Sequence, residues 1–278
     1  MTTTESHLII FPHGLGDQIA LVPVLRAWCE ATNLPFTSPD GVVHTLPSIA
    51  VQRRFNSSPL DHCPYIDQVH YTLSNPWQDY GNHNLKVGLE AAKFEGLGTS
   101  FKYGHSHILF VANTQDYLKL FGVDIKDYKP EVFISNEDRM IASKVIYDLV
   151  GNNSYGFVQT RSGDPARDLP IGYGRAWIET RKELTHILEV GQELKNEDLS
   201  INAMFEIMNR ADAVVLPNST FWHAAGALNK KIDLAYFPRG LKDLEGMKYE
   251  RYYKRTKPIY NEEFYETTTF DLEIIPHG

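Results

Sequence analysis

The run His7–Phe11 (HLIIF) is short, apolar and unbroken, and Pro12-His13-Gly14-Leu15-Gly16-Asp17 follows it directly. A run of that length and composition reads as a buried strand, and glycines placed at once behind it turn the chain. Residues 17–31 then bring Ile19, Val22, Leu25, Ala27 and Trp28 to helical spacing. Strand, glycine turn and amphipathic helix in that order direct the chain to fold the helix back over a sheet.

The alternation continues. Strands are expected over 42–46, 66–71, 107–112 and 131–134, with a helix over 138–150. Gly151-Asn152-Asn153-Ser154 is polar, turn-forming and roughly central, which divides the chain into units 1–150 and 151–278. A second series follows: strand 155–160, helix 175–182, strand 185–190, and a helix over 200–210 capped by Ser200. Ile201, Met204, Phe205 and Met208 share one face of that helix, which makes the methionines core filler. Strand 213–216, helix Thr220–Leu228 and a last strand over 231–237 complete it. The fold class is α/β: two Rossmann-like units in tandem, each a mostly parallel sheet covered by helices.

Composition narrows the function. Of 278 residues, 42% are hydrophobic and 22% charged, values of a globular chain with enough material for a large core. Lys and Arg total 27 against 35 Asp and Glu, a formal charge of −8 that opposes wholesale coating of nucleic acid. Cys29 and Cys63 provide no disulfide framework. The start carries no signal-peptide pattern, and no apolar stretch has the length of a membrane span, so a soluble, cytoplasmic protein is expected.

Two clusters carry chemistry. In the first, Gly14 and Gly16 let backbone approach a ligand beside a helix start, where N–H groups lack partners. A dinucleotide fingerprint would need a small residue where Ile19 stands, and no Gly-Lys-Ser/Thr occurs for a P-loop. Asp17 reads either as a helix cap or as a general base facing a crevice above the sheet. The second cluster is Asp212-Ala-Val-Val-Leu-Pro-Asn-Ser-Thr-Phe-Trp-His-Ala-Ala225, in which a strand ends at Pro217 and Asn218, Ser219 and Thr220 open a helix. Such a start suits an anion; the plainer reading is a cap, with His223 satisfied in the core. Asn218-Ser219-Thr220 is also formally an N-glycosylation triplet.

Together the clusters resemble glycosyltransferase family nine, the ADP-heptose:lipopolysaccharide heptosyltransferase-like enzymes. Gly16-Asp17 followed by Pro23-Val24-Leu25-Arg26 matches the family's first motif, and the stretch from Asp212 to Leu228 its second, with Asn218 at the usual Asp and Thr220 at the usual Gly. The resemblance covers residues 7–30 and about 154–237. It implies a GT-B fold, with an acceptor-side domain at 1–150 and a nucleotide-sugar domain at 151–278. It also implies inverting transfer from a nucleotide-diphosphate sugar to a hydroxyl, such as that of a saccharide, with neither metal nor cofactor. Asp17 would be the base. Gly14, Gly16, Arg161, Arg167, Asn218, Ser219, Thr220 and His223 would hold the donor.

Other features are weaker. The stretch 248–257 interleaves five basic residues with Tyr249, Tyr252 and Tyr253, which suits a phosphate backbone and raises a hydroxymethylated DNA base as an alternative acceptor. A solvated face explains it equally. His105 with His107, and Asp61-His62-Cys63, lack partners at metal-site spacing. Asn218 and Thr220 also motivate a different class, a nucleotide-sugar-binding module without catalysis.

Overall fold

A computed structural model of the protein describes residues 4–73, 76, 100–103, 105–110, 125–195, 198–238 and 259–271. The basic stretch 248–257 and the side chains of His105 and His107 lie outside what is described.

Two five-stranded sheets organise the chain. The first contains β1 (His7–Phe11), β2 (Ser48–Gln52), β3 (Gln68–Thr72), β4 (Ser100–Tyr103) and β5 (His105–Phe110), in the order β3-β2-β1-β5-β4. Every pair is parallel except β4 with β5. The helix α1 (Leu15–Thr32) returns over this sheet and buries Ile19, Val22, Leu25 and Trp28, four of the five residues singled out by spacing. It ends at Asn33, whose φ of 56° places it in the left-handed region where Asn is tolerated.

The helix α2 (Asn136–Val150) leads into the second sheet. There β6 (Tyr155–Val158), β7 (His186–Glu189), β8 (Ala213–Pro217), β9 (Leu234–Tyr236) and β10 (Phe270–Asp271) pair in the order β7-β6-β8-β9-β10, all parallel. Helices α3 (Tyr173–Glu179), α4 (Ile201–Arg210), α5 (Thr220–Leu228) and α6 (Glu262–Thr267) connect the strands. Ser200 caps α4 as its sequence position suggests, accepting the Ala203 N–H at 2.9 Å. Ile201, Met204, Phe205 and Met208 are wholly buried, each worth up to about 1.5–3 kcal/mol.

Three expectations are corrected. Residues 131–134 form no strand; Val132, Phe133 and Ile134 pack on the core, and Glu131 takes the Arg26 guanidinium instead of a ladder partner. The strand expected over 42–46 shrinks to Val43–His44, which pairs in a small sheet with Thr4–Glu5 and Phe36–Thr37. The strand beside β1 is instead Ser48–Gln52, whose apolar part, Ile49–Val51, is only three residues long. Finally, 231–237 is not the last strand, because β10 adds to β9.

A turn at residues 57–58 ties the elements together. Ile201 at the start of α4 donates its N–H to Ser57 Oγ at 2.6 Å, and Asn202 Nδ2 donates to the Ser58 carbonyl at 3.3 Å. Ser58 Oγ in turn donates to Gln18 Oε1 in α1 at 2.7 Å. Asp138, in the first turn of α2, accepts from Ser200 Oγ at 2.5 Å.

Close packing leaves no room for a side chain at Gly156 in β6. A Cβ there would lie 2.5 Å from Cδ1 of Ile178 in α3. Gly156→Ala should therefore cost about 1–3 kcal/mol of unfolding free energy. Denaturant unfolding of both single variants and the double variant Gly156→Ala/Ile178→Ala should show losses that do not add, because the second change removes the clash.

Candidate functional site

In parallel sheets of this kind, ligands settle beyond the carboxyl ends of the strands, where neighbouring connections leave in opposite directions. In the second sheet that point lies between β6 and β8. Gln159 and Thr160 follow β6, and Asn218 and Ser219 follow β8. In the first sheet the corresponding turn after β1 carries Gly14, Gly16 and Asp17. These positions open onto one cleft of about 890 Å³, whose lining includes all nine residues singled out from the sequence.

Asp17 is the third residue of α1, not its cap. Gly14 occupies the cap position with extended backbone, and its N–H donates to Asp17 Oδ2 at 3.1 Å. The capping chemistry is therefore real, but it uses one oxygen. Oδ1 has no hydrogen-bond partner among the described residues and belongs to a side chain lining the cleft.

The opposite wall is the start of α5. The first N–H groups of a helix lack partners within it and carry the positive end of the dipole. Ser219 at the cap turns its hydroxyl away, donating to Gln159 Oε1 at 2.5 Å, while Gln159 Nε2 donates to the Arg161 carbonyl at 2.8 Å. The hydroxyl open to a ligand is thus that of Thr220. Asn218 is 3% exposed, and its Oδ1 has no partner among the described residues.

Four arginines border the cleft, and their neighbours distinguish them. Arg175 is committed to Glu189 at 3.1 Å and to Glu193 through two nitrogens. Arg167 has one acidic neighbour, Asp164, at 3.4 Å. Arg161 and Arg54 have no ion pair among the described residues. The loop carrying Arg161 and Arg167 is braced from within: the Ser162 N–H donates to Asp168 and the Ala166 N–H to Asp164. It is a formed loop in which Arg161, Gly163, Pro165 and Ala166 are exposed.

Glu189, Arg54 and Phe55 were not singled out from the sequence. Glu189 is 4% exposed at the end of β7 and accepts from Thr160 Oγ1, Arg175 and Gln192. An acidic residue closing an otherwise apolar strand was the available signal. Arg54 and Phe55 follow β2, the strand that the pattern did not reveal.

His223 joins the two walls. It lies in the first turn of α5, and its Cδ2 and Nε2 would stand 2.7 and 3.3 Å from a Cβ on Gly16, so only glycine fits there. Nδ1 is 2.5 Å from the hydroxyl of Tyr260. Burial pushes the imidazole down to about 4, with Asp17 opposing the shift and Arg167 adding to it.

Among the described residues no cluster of His, Cys, Asp and Glu could hold a metal ion. Asp61 instead accepts the Ser58 N–H and the Tyr71 hydroxyl, and Cys63 is buried with its thiol pushed up to about 12. Nor is any helix among the described residues long and apolar enough to cross a membrane.

No protein-family model matches the chain, and no curated sequence matches it. Solved structures do. Glycosyl transferase family 9 from Veillonella parvula DSM 2008 aligns with a TM-score of 0.54 at 13% identity, covering 85% of this chain and 82% of its own. ADP-heptose lps heptosyltransferase II of E. coli aligns at 0.56 and 10% identity, covering 99% and 92%. At such identities the likeness is one of fold, and the α/β architecture with parallel sheets is that of these GT-B glycosyltransferases.

The buried imidazole makes stability depend on pH. His223 takes a proton near 6.5 when the chain is unfolded and near 4 when it is folded. Its contribution is therefore intact above pH 6.5 and declines as the pH falls toward 4, by about 3 kcal/mol at about 1.4 kcal/mol per unit. Thermal unfolding from pH 7 to 4 should show the wild type losing more than His223→Gln over that window, since other acids titrate alike in both.

Proposed function

We propose that the protein is a glycosyltransferase, transferring a sugar from a nucleotide-diphosphate donor to a hydroxyl acceptor, with inversion and without a metal. The observation that carries this reading is a single cleft with a carboxylate on one wall and a helix start with free arginine charge on the other. The fold shared with glycosyltransferases supports the same class. On this reading the unit 1–150 receives the acceptor, a saccharide in a heptosyltransferase-like reaction, and the unit 151–278 holds the donor.

The chemistry follows from the two walls. Asp17 takes the proton of the acceptor hydroxyl while its oxygen bonds to the anomeric carbon. The bond from that carbon to the diphosphate oxygen breaks on the opposite face, which inverts the centre. The departing oxygen keeps the electron pair, and the charge is met by the α5 N–H groups, Thr220, Arg161 and Arg167. Fixed dipoles and guanidinium groups stabilise such charge without reorganising, the role a metal fills elsewhere. Asn218, the residue before the cap, contributes no carboxylate to repel the phosphates.

Asp17→Asn tests the base, because the amide oxygen can still accept the Gly14 N–H and keep the helix start. Turnover should fall about 10²–10⁴-fold with nucleotide-sugar affinity nearly unchanged. Near-wild-type turnover would remove Asp17 from the chemistry. Transfer by the wild type to none of a panel of acceptors, with donor binding intact in calorimetry, would identify a binding module instead.

The donor wall makes a separate prediction. Arg161→Ala and Arg167→Ala should each weaken nucleoside-diphosphate binding by roughly ten- to a hundredfold, about 1.5–3 kcal/mol, and barely affect the nucleoside. Equal losses for both ligands would indicate misfolding. Transfer should also persist in EDTA; loss on chelation, restored by Mg²⁺ or Mn²⁺, would overturn the metal-free route.

A further inference from the structure

Tyr260 stands outside both motifs and more than thirty residues beyond His223, yet the two side chains meet. The segment 259–271 returns to α5 after β9, and Tyr260 arrives there 2% exposed. Its ring lies on Gly226, where a Cβ would come within 2.6 Å, and packs against Phe264 with centroids 5.4 Å apart. The hydroxyl ends 2.5 Å from His223 Nδ1.

The direction of that hydrogen bond decides what His223 offers on its other side. A neutral imidazole has one N–H and one bare nitrogen, and whichever atom is bonded at one fixes the other. A bare imidazole nitrogen is a stronger acceptor than a phenol oxygen, and a phenol O–H is a more acidic donor than an imidazole N–H, which makes the tyrosine the donor. The N–H then falls at Nε2, on the ring edge that faces Gly16. The negative charge of Asp17, close enough to act on this ring, favours a proton on that side as well.

We infer that Tyr260 is a positioning residue: its O–H donates to His223 Nδ1 and holds the imidazole as the neutral Nε2–H tautomer, with that N–H turned toward the Gly16–Asp17 turn and the cleft. The ring sits wedged between α1 and α5, so the donor it presents has little freedom to rotate. In the transfer reaction proposed above, on which the kinetic consequence rests, a fixed neutral donor on the Asp17 side would orient oxygen where the acceptor and the transferred sugar meet.

The tautomer can be read without any activity. Long-range ¹⁵N–¹H spectra of histidine-labelled protein, with the His223 signals identified by their loss in His223→Gln, should show a protonated Nε2 and a bare, hydrogen-bonded Nδ1. A protonated Nδ1 in the wild type would overturn the inference, whether or not any variant folds. Tyr260→Phe keeps the ring on Gly226 and deletes the donor; it should move the population toward Nδ1–H. An unchanged spectrum would overturn the inference too.

With transfer activity in hand, Tyr260→Phe should lower kcat about tenfold and leave the donor KM within about twofold, a split that loose packing alone would not produce. A shifted tautomer with unchanged kcat would overturn the positioning role. Absence of transfer by the wild type would count against the glycosyltransferase reading, and the ring spectrum would still decide the tautomer.

Discussion

The cleft exists because two helices begin side by side, and they can do so only because Gly16 lacks a Cβ. The His223 ring occupies the space that any larger residue at 16 would need. That contact sets the distance between the turn after β1 and the turn after β8, and so brings Asp17 opposite Thr220. Each helix start is in turn held by its own sheet: α1 returns over β1, and α5 leaves β8 at the switch between β6 and β8. The position of the carboxylate relative to the cationic wall is thus a packing distance, fixed by one ring and one missing methyl group.

The wall itself divides its charges by assignment. Arg175 is engaged with Glu189 and Glu193, and Glu189 joins the ends of β6 and β7 by also accepting from Thr160 and Gln192. Arg161 carries no such partner among the described residues, and Arg167 a single one, Asp164 at 3.4 Å. Charge that is already paired contributes little to a ligand, so cations are counted by their neighbours, not by their number.

Much of this was legible in the chain. The glycine turn behind the first strand and the strand ending at Pro217 before Asn218-Ser219-Thr220 located the openings of α1 and α5, because strand end, turn and helix start lie within a few residues of each other. The Ser200 cap and the buried face of α4 were readable for the same reason. What could not be read depended on contacts between distant segments. Ser57 accepting the Ile201 N–H, Arg54 lying beside Gly163 and Tyr260 meeting His223 join parts of the chain that share no local pattern. The strand Ser48–Gln52 escaped notice because polar Ser48 and Gln52 leave an apolar run of only three residues, Ile49–Val51, where His7–Phe11 has four in a row. Residues 131–134 failed in the opposite direction: their apolar character reflects packing of an irregular segment on the core.

The triplet Asn218-Ser219-Thr220 has a consequence for where such a chain can be made. It is a formal acceptor for an N-linked glycan, yet in the folded protein Asn218 is buried and Ser219 is hydrogen-bonded inward. Glycan addition occurs on chains emerging into a secretory compartment, before the fold could hide the amide. A sugar attached there would stand where β8 passes into α5, and the switch between the strands could not close around it. Routing the gene product through a eukaryotic secretory host would therefore sort molecules by a biosynthetic accident, with the modified fraction unable to complete the second sheet.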